Sequence, residues 1–172
     1  MGSGKTTIGR RLAEQIGFDF VDTDRCIEMQ QGLTISEIFA RYGETAFREM
    51  ERNVLQEIQK LGYAVVATGG GMPCYNDNMD VMCSMGKVVY LKTSPQALVR
   101  RLLRSNTERP LIKGKTENEL QEYIVEKLAA REPFYQRAHI TLPTVNFSME
   151  ELLKSLRLMK TEKNDFFAQK DS

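Results

Sequence analysis

The residues whose types and spacing could do chemistry begin at the first position. Met1-Gly2-Ser3-Gly4-Lys5-Thr6-Thr7 runs directly into an apolar helical pattern, Ile8, Leu12, Ala13 and Ile16. Gly4-Lys5-Thr6 matches the last three positions of the phosphate-binding pattern G-x-x-x-x-G-K-[ST]. Glycines let the backbone turn tightly, so that successive N–H groups converge on an anion, and the helix that follows adds the positive end of its dipole. In that reading Lys5 reaches the β- and γ-phosphates of a nucleotide and the Thr6 hydroxyl ligates Mg2+. The competing reading is a flexible Gly/Ser start ahead of an ordinary helix. The pattern's first glycine would fall two positions ahead of Met1, and the apolar strand that should lead into it is not in the sequence.

Three further groups stand out. Asp22 and Asp24 flank Thr23 at the end of a short apolar run. One carboxylate near Mg2+ and one near a substrate hydroxyl would suit phosphoryl transfer; capping of the next helix by either aspartate is the equal alternative. Gly69-Gly70-Gly71 presents a surface without side chains, where a substrate can lie against backbone N–H groups; a plain tight turn is the alternative. Arg48, Arg104, Arg109 and Arg131 sit in unusual contexts, such as Phe47-Arg48-Glu49-Met50-Glu51 and Arg109-Pro110. Arginine grips carboxylate and phosphate bidentately, whereas an isolated arginine is more often a solvated helix face.

The elements that must position these groups alternate. A helix is predicted over Thr6–Ile16, ended by Gly17, then a strand over Phe18–Asp22. A helical segment over Arg25–Gln31 follows, and the capping box Thr34-Ile35-Ser36-Glu37 starts a helix to Tyr42. Gly43 breaks that helix before a longer one over Glu44–Leu61. Ala64–Thr68 is a continuous apolar run of the kind found in parallel strands buried on both faces. A weak helix over Asn76–Ser84, a strand over Lys87–Lys92 and a helix from Ser94-Pro95 to Arg104 come next. Ser105–Lys115 reads as a polar, basic loop. A capping box at Thr116-Glu117-Asn118-Glu119 opens a helix to about Arg131, continued with a kink through Pro133. A last strand over His139–Leu142 and a helix from Ser148 to Met159 lead to a polar tail, 160–172. Strands alternating with helices predict an α/β fold with a parallel sheet covered on both faces. Ligands then bind beyond the carboxyl ends of the strands, the rim where the phosphate loop, the Asp22/Asp24 pair and the triple glycine all fall.

The chain has 172 residues, enough for one domain with a full core. A net charge of +1 gives no long-range attraction to nucleic acid or membrane. No apolar run has spanning length and no signal-peptide pattern appears, so a cytoplasmic protein is expected. Three cysteines without zinc-site spacing point to reduced thiols, and a single histidine, His139, argues against a His-based triad or His-rich metal site.

With these residues in view, the chain resembles the shikimate kinase family of P-loop nucleoside monophosphate kinase-like proteins. The matched elements are Gly2-Ser3-Gly4-Lys5-Thr6-Thr7, Asp22-Thr23-Asp24, Gly43-Glu44-x-x-Phe47-Arg48-x-x-Glu51, Thr68-Gly69-Gly70-Gly71, Arg109-Pro110-Leu111-Ile112 and Arg131-x-x-x-Tyr135-x-x-Ala138. The resemblance runs from Met1 to about Leu142 and more loosely to Met159. It implies a three-layer P-loop kinase fold, with a parallel sheet of five strands in the family and four readable here. It also implies Mg2+-dependent transfer of the γ-phosphoryl group of ATP to the 3-hydroxyl of shikimate, in the chorismate route to aromatic amino acids. A monomer acting on small molecules, with no nucleic acid or membrane partner, is expected.

Carried over by this resemblance, Gly2, Ser3, Gly4, Lys5, Thr6, Thr7, Arg104 and Arg109 bind ATP, with Arg104 packing on adenine. Lys5, Asp24 and Arg109 are catalytic, Asp24 being the base for the attacked hydroxyl. Asp24, Arg48, Gly69, Gly70, Gly71 and Arg131 bind shikimate, the two arginines clamping its carboxylate. Thr6 and, through water, Asp22 hold Mg2+. One domain over 1–159 is implied, with a substrate region at about 25–60 and a lid at about 109–119. Pro143–Phe147 is the expected adenine loop.

Another small-molecule kinase of the group, such as a gluconate kinase, is the nearest alternative, although the Arg48, triple-glycine and Arg131 set is not expected there. A non-catalytic relative is the second alternative, because the phosphate loop is incomplete. By the family's strand order, the strand preceding the loop lies between those at Ala64–Thr68 and Lys87–Lys92. The expectation is a central gap in the sheet and a chain shorter at its N-terminus than an active enzyme.

Overall fold

The computed structural model describes residues 2–104 and 114–156. In chain order the elements are α1 (Lys5–Ile16), β1 (Asp19–Asp22), α2 (Thr23–Gln31), α3 (Ile35–Ile58), β2 (Ala64–Ala67), a 3-10 turn (Met72–Cys74), α4 (Asn78–Met85), β3 (Val89–Lys92), α5 (Pro95–Leu103), α6 (Glu117–Tyr135) and β4 (Ile140–Pro143). A last helix, α7, covers 149–156. Boundaries follow local chemistry. Gly17 closes α1 with a left-handed backbone (φ 69°). Thr34 and Glu37 form a reciprocal capping box at the start of α3, and Thr116 and Glu119 repeat it at α6. Gly43 (φ 77°, ψ 180°) breaks α3 as its sequence position predicts. Pro133 lies inside α6, which runs on to Tyr135.

The strands form two parallel pairs. β1 pairs with β2 in the register Asp19 to Ala64 through Asp22 to Ala67. β3 pairs with β4 from Val89 to Ile140 through Lys92 to Pro143. At the carboxyl ends of the second pair, the Thr93 and Thr144 hydroxyls share a buried hydrogen bond of 2.7 Å. Among the described residues β2 and β3 are not hydrogen-bonded to each other. Between them opens a cavity of about 990 Å³, lined by Ile8 and Leu12 of α1, Val65 of β2, Val89 of β3, Leu128 of α6 and Leu152 of α7.

That cleft changes the expected burial of β2. The apolar run Ala64–Val66 is only half-buried, and Ala67 alone is closed off. An apolar run records that a strand belongs in a core; whether both faces are covered depends on its neighbours. The core is correspondingly divided. Ile27, Ile38, Phe47, Val54 and Ile58 pack between α2 and α3. Leu98, Val99, Leu102, Leu120 and Ile124 join α5 to α6. Leu55, Met72, Met79 and Met82 form a third cluster around α4.

Candidate active site

The phosphate loop is held on one side by α5. Gly2 (φ 63°) and Gly4 (φ 90°) both use left-handed backbone. A Cβ at Gly2 would lie 3.5 Å from Leu102, and Arg101 Nη1 donates to the carbonyls of Gly2 (3.3 Å) and Ser3 (3.1 Å). With its carbonyls tied to Arg101, the loop directs its N–H groups elsewhere, as an anion site requires. Ser3 and Lys5 face the cleft, and Thr6 and Thr7 are exposed in the first turn of α1.

At the end of β1, Asp22 serves two purposes at once. Its Oδ1 accepts from Arg25 N–H at 3.4 Å and caps α2, while its Oδ2 accepts from the Thr6 hydroxyl at 2.9 Å. The capping expected as one reading of Asp22 is therefore present, and the same carboxylate also meets Thr6 of the phosphate loop. The pair brought together here, a hydroxyl and a carboxylate, is a hard oxygen donor set that fits a water-rich Mg2+ site completed by phosphate oxygens. Among the described residues no group of three or more His, Cys, Asp or Glu side chains could hold a metal by itself.

Asp24 lies in the first turn of α2. Burial, and then the neighbouring Asp22 charge, raise its pKa above the ordinary aspartate value, while Lys5 pulls in the opposite direction. Asp24 faces the triple glycine. A Cβ at Gly69 would come within 2.6 Å of Asp24 Oδ1 and 2.9 Å of Glu51 Oε1, so no side chain fits there. The Gly69 N–H is bound by the fully buried Thr23 hydroxyl at 2.9 Å, which ties the glycine loop to the start of α2.

Arg48 projects from the second half of α3 against the same loop. A Cβ at Gly71 would sit 2.7 Å from its Nη1. Nη1 donates to Glu51 Oε2 at 2.7 Å and Nη2 to Glu44 Oε1 at 2.6 Å, and the guanidinium stacks on Tyr75 with 3.8 Å from Cζ to the ring centroid. Burial lowers the Arg48 pKa, but the bonds to Glu51 and Glu44 more than reverse this and keep it charged. Glu51 is itself buried, and burial raises its pKa against the pull of Arg48. Among the described residues Arg48 Nε and Glu51 Oε1 are buried without hydrogen-bond partners.

Arg131 of α6 lines the same cavity as Lys5, Gly69 and Gly70, close enough to Glu51 to influence its charge. The loop is anchored there too, since the Tyr135 hydroxyl donates to the Gly70 carbonyl at 2.6 Å. One expected residue, Arg104, does not join this cluster. Arg104 is exposed at the end of α5, and Arg109, with residues 109–113 of the expected lid, lies outside the described residues. Pro143 ends β4 and begins the expected adenine loop, whose Val145 is exposed.

Several supporting residues were not assigned a role from the sequence. Thr23, Glu51 and Tyr135 stand within the quoted motifs, and the spacing of Glu51 three positions after Arg48 on a helix is a readable ion-pair signal. Tyr75 and Arg101 carry no such signal, because their partners are 27 or more positions away.

A glycine-turned loop opening α1, the Asp22–Thr6 pair and a carboxylate and arginine facing a bare backbone loop describe a P-loop kinase fold with a charged pocket beside the loop. The comparisons make this specific. The family model "SKI: Shikimate kinase" matches residues 1–159. A shikimate kinase from Parabacteroides distasonis is 44% identical over 153 residues, 89% of this chain and 86% of that one. The 1.7 Å crystal structure of shikimate kinase from Bacteroides thetaiotaomicron superposes with a TM-score of 0.84 at 37% identity, covering 95% of this chain and 94% of that one. Shikimate kinase from Acinetobacter baumannii, solved in complex with shikimate, gives a TM-score of 0.82 at 38% identity over 95% of this chain and 90% of that one. The chain belongs to the shikimate kinase family.

Proposed function

We propose that the protein is an ATP-dependent phosphotransferase that moves the γ-phosphoryl group of ATP to the 3-hydroxyl of shikimate. The observation that carries this reading is the convergence of Asp24, Arg48 and Arg131 on the triple glycine, with Lys5 in electrostatic contact with Asp24. A pair of arginines suits an acidic polyol, whose carboxylate both can grip; an acceptor lacking the carboxylate forgoes those contacts.

In the proposed chemistry Arg48 and Arg131 orient the acceptor by its carboxylate, and the backbone of Gly69–Gly71 lies against it. Asp24 accepts the proton of the 3-hydroxyl as its oxygen bonds to the γ-phosphorus, and the bond to the ADP oxygen breaks. Burial raises the Asp24 pKa and so makes it a stronger base than an exposed aspartate. Lys5 and Arg109 balance charge on the transferring group, and Arg104 packs on adenine. Thr6 and Asp22 would hold Mg2+, which when bound supplies charge neutralisation at the phosphates. The catalytic unit is a single domain over 1–159, working as a monomer.

A substrate panel with coupled ADP detection tests the assignment. Shikimate is expected to support turnover, with gluconate and the water-only control at background. Turnover with gluconate and none with shikimate would replace this reading by a sugar-acid kinase. Shikimate binding without ADP release would replace it by a non-catalytic relative.

A further inference from the structure

Arg48 holds two carboxylates, and they differ in kind. Glu51 is buried, with 1% of its side chain exposed, and it bonds Nη1 from the same helix. Glu44 bonds Nη2 with 54% of its side chain in solvent. The edge of a guanidinium offers two parallel donors to an incoming carboxylate, so a ligand that takes the Nη2 hydrogen now given to Glu44 must displace that carboxylate. Glu51 cannot leave without stripping a buried charge. Glu44 can leave into water.

We infer that Glu44 is an internal stand-in for the substrate carboxylate: a latch that occupies Nη2 of Arg48 in the empty site and is exchanged for the acceptor. The inference rests on the reading of Arg48 as a carboxylate clamp. Its geometry extends beyond one ion pair. Glu44 is the first residue after the Gly43 break in α3, at a backbone joint where the helix direction is interrupted (φ 77°, ψ 180°). The oxygen that accepts from Arg48, Glu44 Oε1, also accepts from the Tyr75 hydroxyl at 2.5 Å. Tyr75 follows the glycine loop and its 3-10 turn, and its ring lies under Arg48. The latch thus clips α3 to the glycine loop, the two walls between which the acceptor must enter.

Both partners register the contact. The Tyr75 and then the Arg48 hydrogen bonds lower the Glu44 pKa, and the Glu44 carboxylate raises that of Tyr75. Lys127 of α6 also acts on Glu44 and offers a charge to face once the latch opens. The latch reduces apparent affinity by the fraction of molecules in which it is open. In return, it keeps Arg48 paired while the site is empty.

The test is calorimetric binding of shikimate, and of its neutral carboxamide, to the full chain and to Glu44→Gln, Tyr75→Phe and Arg48→Ala. Glu44→Gln is expected to tighten shikimate binding roughly three- to tenfold, the tax removed when a latch closed most of the time is opened. The carboxamide, which does not compete for Nη2 as an anion, should bind no more tightly than to the parent. Tyr75→Phe keeps the ring under Arg48, loses the hydroxyl, and should tighten shikimate binding by a smaller factor. If Arg48→Ala loses shikimate binding while both Glu44→Gln and Tyr75→Phe bind as weakly as the parent or more weakly, the latch is overturned and Glu44 is a positioning residue for Arg48. If Arg48→Ala binds shikimate normally, the clamp reading falls and takes the latch with it.

Discussion

Around Asp24 and Arg48 the walls are closed: Ile27 and Ile38 lie fully buried behind α2 and α3, and Thr23 and Glu51 are buried with hydrogen-bond partners. Around Ser3 and Lys5 the phosphate loop instead borders a cleft of about 990 Å³, flanked by two strands that do not pair. The acceptor side is therefore positioned by packing and the nucleotide side by a few polar ties, chiefly Arg101 to the loop carbonyls and Thr6 to Asp22. The contrast shows that a site's two halves need not share one core. It also says where substitution should be felt most.

The largest effect is expected at the base. Asp24→Asn should lower kcat by roughly 10²–10⁴-fold with little change in the shikimate KM, measured by coupled ADP release. Near-normal turnover would remove Asp24 from the chemistry and leave the closed acceptor wall with a purely binding role. Next is the clamp. Arg48→Ala removes the partner of the buried Glu51 and should cost about 2–5 kcal/mol in shikimate recognition, seen as a raised KM for shikimate with that for ATP nearly unchanged. Equal changes in both KM values would mean that the two halves are coupled more tightly than their packing indicates.

Stability should follow the same division. Ile27→Ala, in the closed half, is expected to cost roughly 2–5 kcal/mol in urea unfolding. Val65→Ala, whose side chain lines the cleft and is only half-buried, should cost less, about 1 kcal/mol. Similar losses at both positions would show that the cleft is filled in solution.

The smallest effect concerns pH. As the proposed base, Asp24 would act only when deprotonated, so activity is expected above its pKa and lost as pH falls through it. Burial raises that pKa above 3.8, and the acidic limb of kcat/KM should therefore lie above the ordinary aspartate value. A carboxyl titration of Asp24 followed by NMR should place the same group at the same pH. A limb at or below 3.8 would mean that Asp24 is as open to water as the cleft.

What could be read from residues alone was whatever depends on near neighbours in the chain. The break at Gly43, the capping boxes at Thr34 and Thr116, the Gly17 stop and the alternation of strands and helices all rest on spacings of a few residues. The Gly4-Lys5-Thr6 and Asp22-Thr23-Asp24 groups were readable for the same reason, whereas the gap expected between β2 and β3 came from the strand order of the family the chain resembles. Other features required the chain to be folded. Ala64–Val66 looks fully buried by composition and is only half-buried, because the neighbour that would cover it is a matter of strand order. Asp22 caps a helix and accepts from Thr6 because α1 and α2 both begin at the same rim. Glu44 and Tyr75 meet on Arg48 across 31 positions, and nothing local foretells that meeting. Short-range hydrogen bonding and periodicity are written in adjacent residues, whereas burial, the partners of a charge and the exchangeability of one carboxylate against another arise only when distant segments share a low-dielectric space.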